Sequence, residues 1–312
     1  MKKFTHAWLA FMAIKRLEKA TLPDDLKADA KALVKWFHDY RDFVIEGAWY
    51  PDEVFKDMAT SHVIKYRPAP ELGDRAFKKL PKTMELAKAV KKSPLMGKGF
   101  EITSGNMADR CEALAHSIVD CFKMLRVEDK GCPIATTNNH IAMRFFILSH
   151  YIADCHMPLH CDNRSFSSGA NIHGFIESEW DKQVRKSYKI DTDNDRFFYD
   201  PQGYPLQDKM APLMQAVEDD LVNREFYYGW GTGNKNTWDY MSALSEYSYL
   251  MAYEMIPDTL DETMTKAEYK ASGSWTKFEE HSRIILCDAV DSIARIWLHV
   301  WVRYREWDGK RK

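Results

Sequence analysis

Five side chains able to bind a metal ion fall within 28 residues, from His150 to Glu177, in the run HYIADCHMPLHCDNRSFSSGANIHGFIE. His150 and Asp154 are four apart in an apolar run, so on a helix they leave the same face one turn from each other. His173 and Glu177 repeat that spacing on a second predicted helix. Between the pairs, Pro158 ends the first helix and sets His160 just beyond it, where an imidazole can turn back toward the same cavity. The rest of the chain then has to be the scaffold that completes and holds these groups.

The first of these helices carries two different faces. Ile141, Phe145, Leu148, Ile152 and Cys155 recur at spacings of four and three, the period of a buried stripe, while Phe146, His150 and Asp154 form another. A helix with two such faces belongs in the middle of a bundle, which also keeps its ligands rigid and partly dry. One His-x-x-x-Asp pair alone would be an ordinary helical histidine beside an acid, and only the crowding of five such residues argues for a metal. Imidazole and carboxylate without thiolate suit zinc in a catalytic rather than a structural site. Cys155 and Cys161 have no C-x-x-C spacing and read as packing residues.

The pattern His150-x3-Asp154-x5-His160-x12-His173-x3-Glu177, with Pro158-Leu159-His160 inside it, resembles the zinc-dependent phospholipase C family and its relatives, the single-strand-specific zinc nucleases. Glu177 stands where the nucleases usually have aspartate, which leans the resemblance toward the phospholipases. The resemblance implies an all-α fold, a single helical domain over 1–312 with a trinuclear metal cleft. It also covers GAWYPDEVFKD and TSHVIKYRP, where Asp52 and, ten residues on, His62 match the family's second ligand segment. Without it, Asp52 would be a helix-cap residue and His62 a loop residue.

Three zinc ions are implied. Asp52, His62, His150 and Asp154 would hold one; His160, His173 and Glu177 a second, leaving positions open for water and substrate. Met1 and His6, sharing Asp154 as a bridge, would hold the third, because in the family the terminal amine and carbonyl and a histidine of the first segment are ligands. Met1 departs from the family's usual terminal tryptophan, and the alternative for Met1 and His6 is a frayed terminus with a surface histidine. The implied reaction is phosphodiester hydrolysis, for which zinc lowers the pKa of a bound water to near ~7 and offsets charge on the phosphoryl and departing oxygens. Asp52 is the implied catalytic base. The other histidines, His38, His116, His140, His156, His281 and His299, read as structural, with His156 placed to support a ligand from behind.

The substrate class stays open between a phospholipid and a nucleotide or single strand. A metal-stabilised binding protein without turnover is a third reading. A di-iron bundle would need paired Glu-x-x-His motifs, and the offsets here are four. A formal net charge of −2 in 312 residues gives no basic footprint for duplex nucleic acid, and 45% hydrophobic residues allow a sizeable core.

The opening MKKFTHAWLAFMAIKRLEKA has the outline of a secretory signal, but Lys15 and Arg16 follow the apolar run and no small-x-small cleavage site appears. It reads as a first helix from about Thr5 to Ala20, with Thr5 as a possible cap. Six cysteines are too sparse for a disulfide scaffold, so a cytoplasmic location is expected, giving way to secretion if a native leader precedes Met1. Nothing in the residues speaks to oligomeric state.

Further along, a loop is expected at Thr21 to Asp24, then helix to about Glu46, a new short helix from Pro51, and two helices between Gly73 and Leu125 broken near KKSPLMGKG. DTDNDRFFYD lacks the glycine and glutamate of a calcium loop. FYYGWGTGNKNTW reads as a loop whose aromatics, Tyr228 and Trp230, could border the substrate cleft. Helices of about Thr237 to Glu254 and Ser274 to Arg305 close the chain. In the last, Ile285, Ala289, Ile293, Ile296 and Val300 form a stripe, and Asp288, Asp291 and Arg295 rule out a membrane span.

Overall fold

From Phe4 to Ile14 every side chain of the first helix, α1 (Lys3–Lys19), is buried. A helix apolar all round must lie inside a bundle, and α1 packs against five other helices. The computed structural model describes residues 1–56, 60–80, 85–127, 136–229 and 236–309, and the chain is all-α. α1 begins two residues before the predicted start, and Thr5 lies within it rather than capping it. Its first amides are satisfied from outside: the Asp181 carboxylate accepts from Phe4 N at 3.0 Å and from Thr5 N at 3.2 Å.

Helix α2 (Asp24–Tyr40) ends in a 3-10 turn at Arg41–Phe43, and α3 (Val44–Tyr50) runs on into one π-helical turn, Pro51–Phe55. The break thus falls earlier than predicted and Pro51 prolongs a helix instead of starting one. A proline lacks the N–H for an i−4 bond and crowds that carbonyl, and a widened turn relieves both.

Between the strands β1 (Lys65–Pro68) and β2 (Phe100–Ser104), which pair antiparallel, lie a 3-10 turn (Pro70–Arg75) and the single turns α4 (Ala76–Lys79) and α5 (Leu86–Ala89). Among the described residues, only α6 (Met107–Arg126) is a long helix answering to the two expected there. Gly97 and Gly99, at φ 71° and 75°, turn the chain into β2 instead.

The central helix α7 (Asn138–Cys155) is capped by Thr137, whose hydroxyl accepts from His140 N at 3.3 Å. A 3-10 turn over Pro158–His160 leads to α8 (Ile172–Ser187), capped by Asn171. A two-residue-strand hairpin follows (β3, Ile190–Asp191; β4, Arg196–Phe197), holding the acidic run, and then α9 (Pro212–Asn223) and α10 (Thr237–Met255). Short turns α11 (Lys266–Ala271) and α12 (Gly273–Thr276) precede α13 (Phe278–Gly309), whose 32 residues span about 48 Å.

α7 packs on α3, α6, α13 and α1, within one hydrophobic cluster. At Gly47 of α3 a Cβ would come 2.5 Å from Phe146 Cβ, so the α3–α7 approach requires glycine. Among the described residues no helix is long and apolar enough to cross a membrane.

The charged residues of α13 do more than break a hydrophobic run. Arg16 donates to Asp291 at 2.7 Å, Arg224 to Asp288 and Asp291 at 2.7 and 2.9 Å, and Tyr247 to Asp288 at 2.9 Å. Arg295 reaches Tyr240 Oη at 2.7 Å. The sequence gives no hint of this buried cluster, because its members are spread over four helices.

Candidate metal centre

The α3–α7 contact sets the first group of ligand candidates. Ala48, next to Gly47, turns its carbonyl to His150 Nδ1 at 2.8 Å. A carbonyl only accepts, so Nδ1 carries the proton and neutral His150 presents a bare Nε2 to the cleft. One turn on, Asp154 Oδ2 lies 3.2 Å from that nitrogen. The π-helical turn brings Asp52 Oδ1 to 3.5 Å from it, and His62 Nε2 stands 2.9 Å away. His62 is 3.2 Å from Asp52 and 3.8 Å from Asp154. Zinc bonds of ~2.0–2.1 Å in a tetrahedron imply ligand separations of roughly 3.3 Å. The five distances, 2.9 to 3.8 Å, bracket that edge.

The second group comes from the turn after α7 and the first turns of α8. β1 fixes the former: Tyr66 N donates to Cys161 O at 2.9 Å and Asn163 N to Tyr66 O at 3.1 Å. His160 Nε2 lies 3.5 Å and His173 Nε2 3.0 Å from Glu177 Oε1. Ser167, absent from the sequence reading, meets His173 Nδ1 at 3.1 Å. His160, His173 and Glu177 are close enough to share one ion, as are Asp52, His62, His150 and Asp154.

Met1 and His6 complete the set of nine. The Met1 amine is 2.7 Å from Asp154 Oδ1 and 3.0 Å from Glu177 Oε1. His6 Nε2 is 3.4 Å from the same Asp154 oxygen, and the His6 ring stacks on His150 at 4.1 Å. Asp154 therefore turns Oδ2 to the first group and Oδ1 to the terminus. Asp181, one turn beyond Glu177 on α8, anchors the start of α1 and with it both Met1 and His6.

Several of these groups fit a cation and little else. Both nitrogens of His6 and Nδ1 of His160 are buried with no hydrogen-bond partner, a costly state that metal binding relieves for nitrogens facing the ion. Burial opposes the charge on His150, yet Asp154 and Asp52 push its pKa up to about 9. Burial likewise opposes the Met1 ammonium, which Asp154, Glu177 and Asp52 raise to about 11. Against the burial of Asp154, the Met1 amine and His150 hold it well below the usual carboxylate range; Glu177 is held down likewise by the amine, His160 and His173. His6 is pulled down to about 4 by burial, then by His150 and the amine. The carboxylates are thus set for positive charge, and protons stand where ions would.

A cavity of about 340 Å³ is lined by seven of the nine residues, with His6 and His150 behind them, and by Lys65 and Ser167. Two residues, His156 and Tyr228, depart from expectation here. His156 gives its Nε2 to Ser292 of α13 at 2.8 Å, and burial, with Arg224 and Arg295 nearby, takes its pKa down to about 3. It belongs to the arginine cluster, because it lies past the end of α7 and faces away from the ligands. Tyr228 sits near Glu306 and Asp29, with no part in lining the cleft, and Trp230 lies outside the described residues.

Fold and site together define an all-α protein with a buried histidine–carboxylate centre able to hold metal ions. Among solved structures the chain is similar to the alpha-toxin of Clostridium perfringens, avian strain SWCP, at 14% identity and a TM-score of 0.45, over 95% of this chain. The chain spans 63% of that toxin's length, and no residue role rests on the likeness. No family model and no curated protein matches the chain.

Proposed function

We propose that the protein is a zinc-dependent phosphodiester hydrolase of the phospholipase C type, working as a single domain over 1–312. The observation that carries this reading is the pair of adjoining histidine–carboxylate groups, open to one cavity, with the Met1 amine between Asp154 of one and Glu177 of the other. Asp52, His62, His150 and Asp154 would hold one ion, His160, His173 and Glu177 a second, and the Met1 amine, His6 and Asp154 a third. Zinc bound there supplies a nucleophile at neutral pH and positive charge against the phosphoryl oxygens.

The chain's own residues contribute position and proton handling. Asp52 is 23% exposed against 1% for Asp154 and 9% for Glu177, so it is the carboxylate within reach of an incoming water. Hydrogen bonds from His150 and His62 outweigh its burial and keep it ionised. It therefore orients the attacking water and accepts its proton as the new phosphorus–oxygen bond forms and the alcohol departs. Lys65, on the cavity wall, meets the negative phosphate.

Hydrolysis of bis-p-nitrophenyl phosphate by zinc-loaded protein tests the proposal. Turnover that collapses in Asp154→Asn, with helical circular dichroism retained, is the expected result. Near-normal turnover in that variant, with its metal content verified, would refute it.

A further inference from the structure

A second, larger cavity of about 780 Å³ shares Met1, Lys2 and Asp52 with the metal cleft, so the two adjoin. Its wall on α8 carries Lys182, Arg185 and Lys186, spaced three and four apart and therefore on one helix face. All three are exposed. Lys2 stands at the junction, with Nζ 3.5 Å from Glu177 Oε2.

The acids of this cavity neutralise that wall only in part. Asp181 holds the amides of Phe4 and Thr5 and offsets some of the charge of Arg185, leaving Lys182 and Lys186. Asp195 pairs with Lys3, which also lies 3.1 Å over the Trp49 ring. Asp52 belongs to the ligand set, and Glu53 lies near Lys3. Lys182 makes an exposed 3.6 Å pair with Glu179, an interaction worth little. Arg185 rests over the Phe4 ring at 4.6 Å, and Lys186 has no ion-pair partner among the described residues.

Resting on the phosphodiesterase reading, we infer that this cationic wall receives a second phosphate of the substrate, one group removed from the phosphodiester held at the metal cleft. The preferred substrate is then a phosphodiester with a further phosphate, as on a nucleotide or a phosphorylated inositol headgroup. A choline headgroup, whose quaternary ammonium would meet Lys2 and the α8 cations, is disfavoured.

The test compares the p-nitrophenyl ester of thymidine 5′-phosphate with and without a 3′-phosphate, and phosphatidylinositol with its 4,5-bisphosphate. The extra phosphate raises kcat/KM by roughly tenfold in the chemical series that is the natural one, and the advantage shrinks with salt. In the double variant Lys182→Gln/Lys186→Gln that advantage disappears while turnover of the single-phosphate compound is unchanged. Equal turnover with and without the added phosphate in both series overturns the inference, as does equal loss on both compounds in the variant. Calorimetry with thymidine 3′,5′-bisphosphate and inositol 1,4,5-trisphosphate separates this from the parent reading. If no ester is cleaved, the hydrolase reading fails alone provided one of them binds and the variant weakens it about tenfold; binding of neither, or binding indifferent to the variant, overturns the cationic wall.

Discussion

The metal cleft and the cluster of Arg16, Arg224, Asp288, Asp291 and Arg295 are both charged and largely buried, yet they are completed differently. In the cluster, guanidinium groups answer the carboxylates of α13 directly, at 2.7 to 2.9 Å. In the cleft, three carboxylates face imidazoles that lack partners on buried nitrogens. The contrast extends to two histidines near one end of α7. His150 is held against burial by Asp154 and driven up to about 9, whereas burial beside Arg224 and Arg295 takes His156 down to about 3. The cluster is finished by its own chain, whereas the cleft is left for an added cation to finish.

The sharpest way to break the comparison is to remove one carboxylate from each cluster. Asp154→Asn should lower phosphodiester hydrolysis by about 10²–10⁴, since zinc stabilises developing charge by several kcal/mol. Its far-ultraviolet circular dichroism should stay native. Asp291→Ala should do the reverse, costing about 3–5 kcal/mol in urea unfolding by leaving Arg16 without a carboxylate and Arg224 with Asp288 alone, with specific activity of the folded fraction kept. Equal effects of both on activity and stability would erase the distinction.

Smaller changes sharpen it. Gly47→Ala forces a Cβ to 2.5 Å from Phe146 Cβ, and overpacking of this kind costs about 1–3 kcal/mol. Because Ala48 follows, zinc affinity should fall as well; stability lost with affinity intact would detach the α3–α7 contact from the site. Ser167→Ala, which frees His173 Nδ1, should weaken zinc binding by about tenfold in a chelator competition and leave the melting temperature unmoved.

The gentlest probe is pH, applied to metal-stripped protein. His150 has its pKa raised in the fold, so its contribution is complete below about 6.5 and is lost as pH rises toward 9. His156 has its pKa lowered, so its contribution is complete above about 6.5 and is lost as pH falls toward 3. Stability should peak near neutrality, with the alkaline decline reduced in His150→Gln, where the raised Met1 amine still contributes to it, and the acid decline reduced in His156→Gln. Denaturant titrations across that range decide the matter.

The two long terminal helices were legible in the sequence because helical periodicity is local, and the all-α class was legible through the resemblance. The gathering of nine candidate ligands was readable only through spacing and resemblance, since Met1, Asp52 and His160 are far apart in sequence. What stayed hidden depended on non-local partners. Thr5 looked like a cap until Asp181 took the amides of α1, and His156 looked like support for a ligand until Ser292 and two arginines claimed it. Strands β1 and β2 escaped notice because each is short and forms against partners distant in sequence. The carbonyl of Ala48 has no sequence signature, because every residue carries one.

The central claim is that the cleft is completed by metal, and metal content measures that directly. Plasma emission spectroscopy on protein whose Met1 amine is free should find about three zinc ions per chain, falling to two when residues are added before Met1. Protein that retains no stoichiometric metal after equilibration with zinc, and cleaves no phosphodiester, would contradict the account.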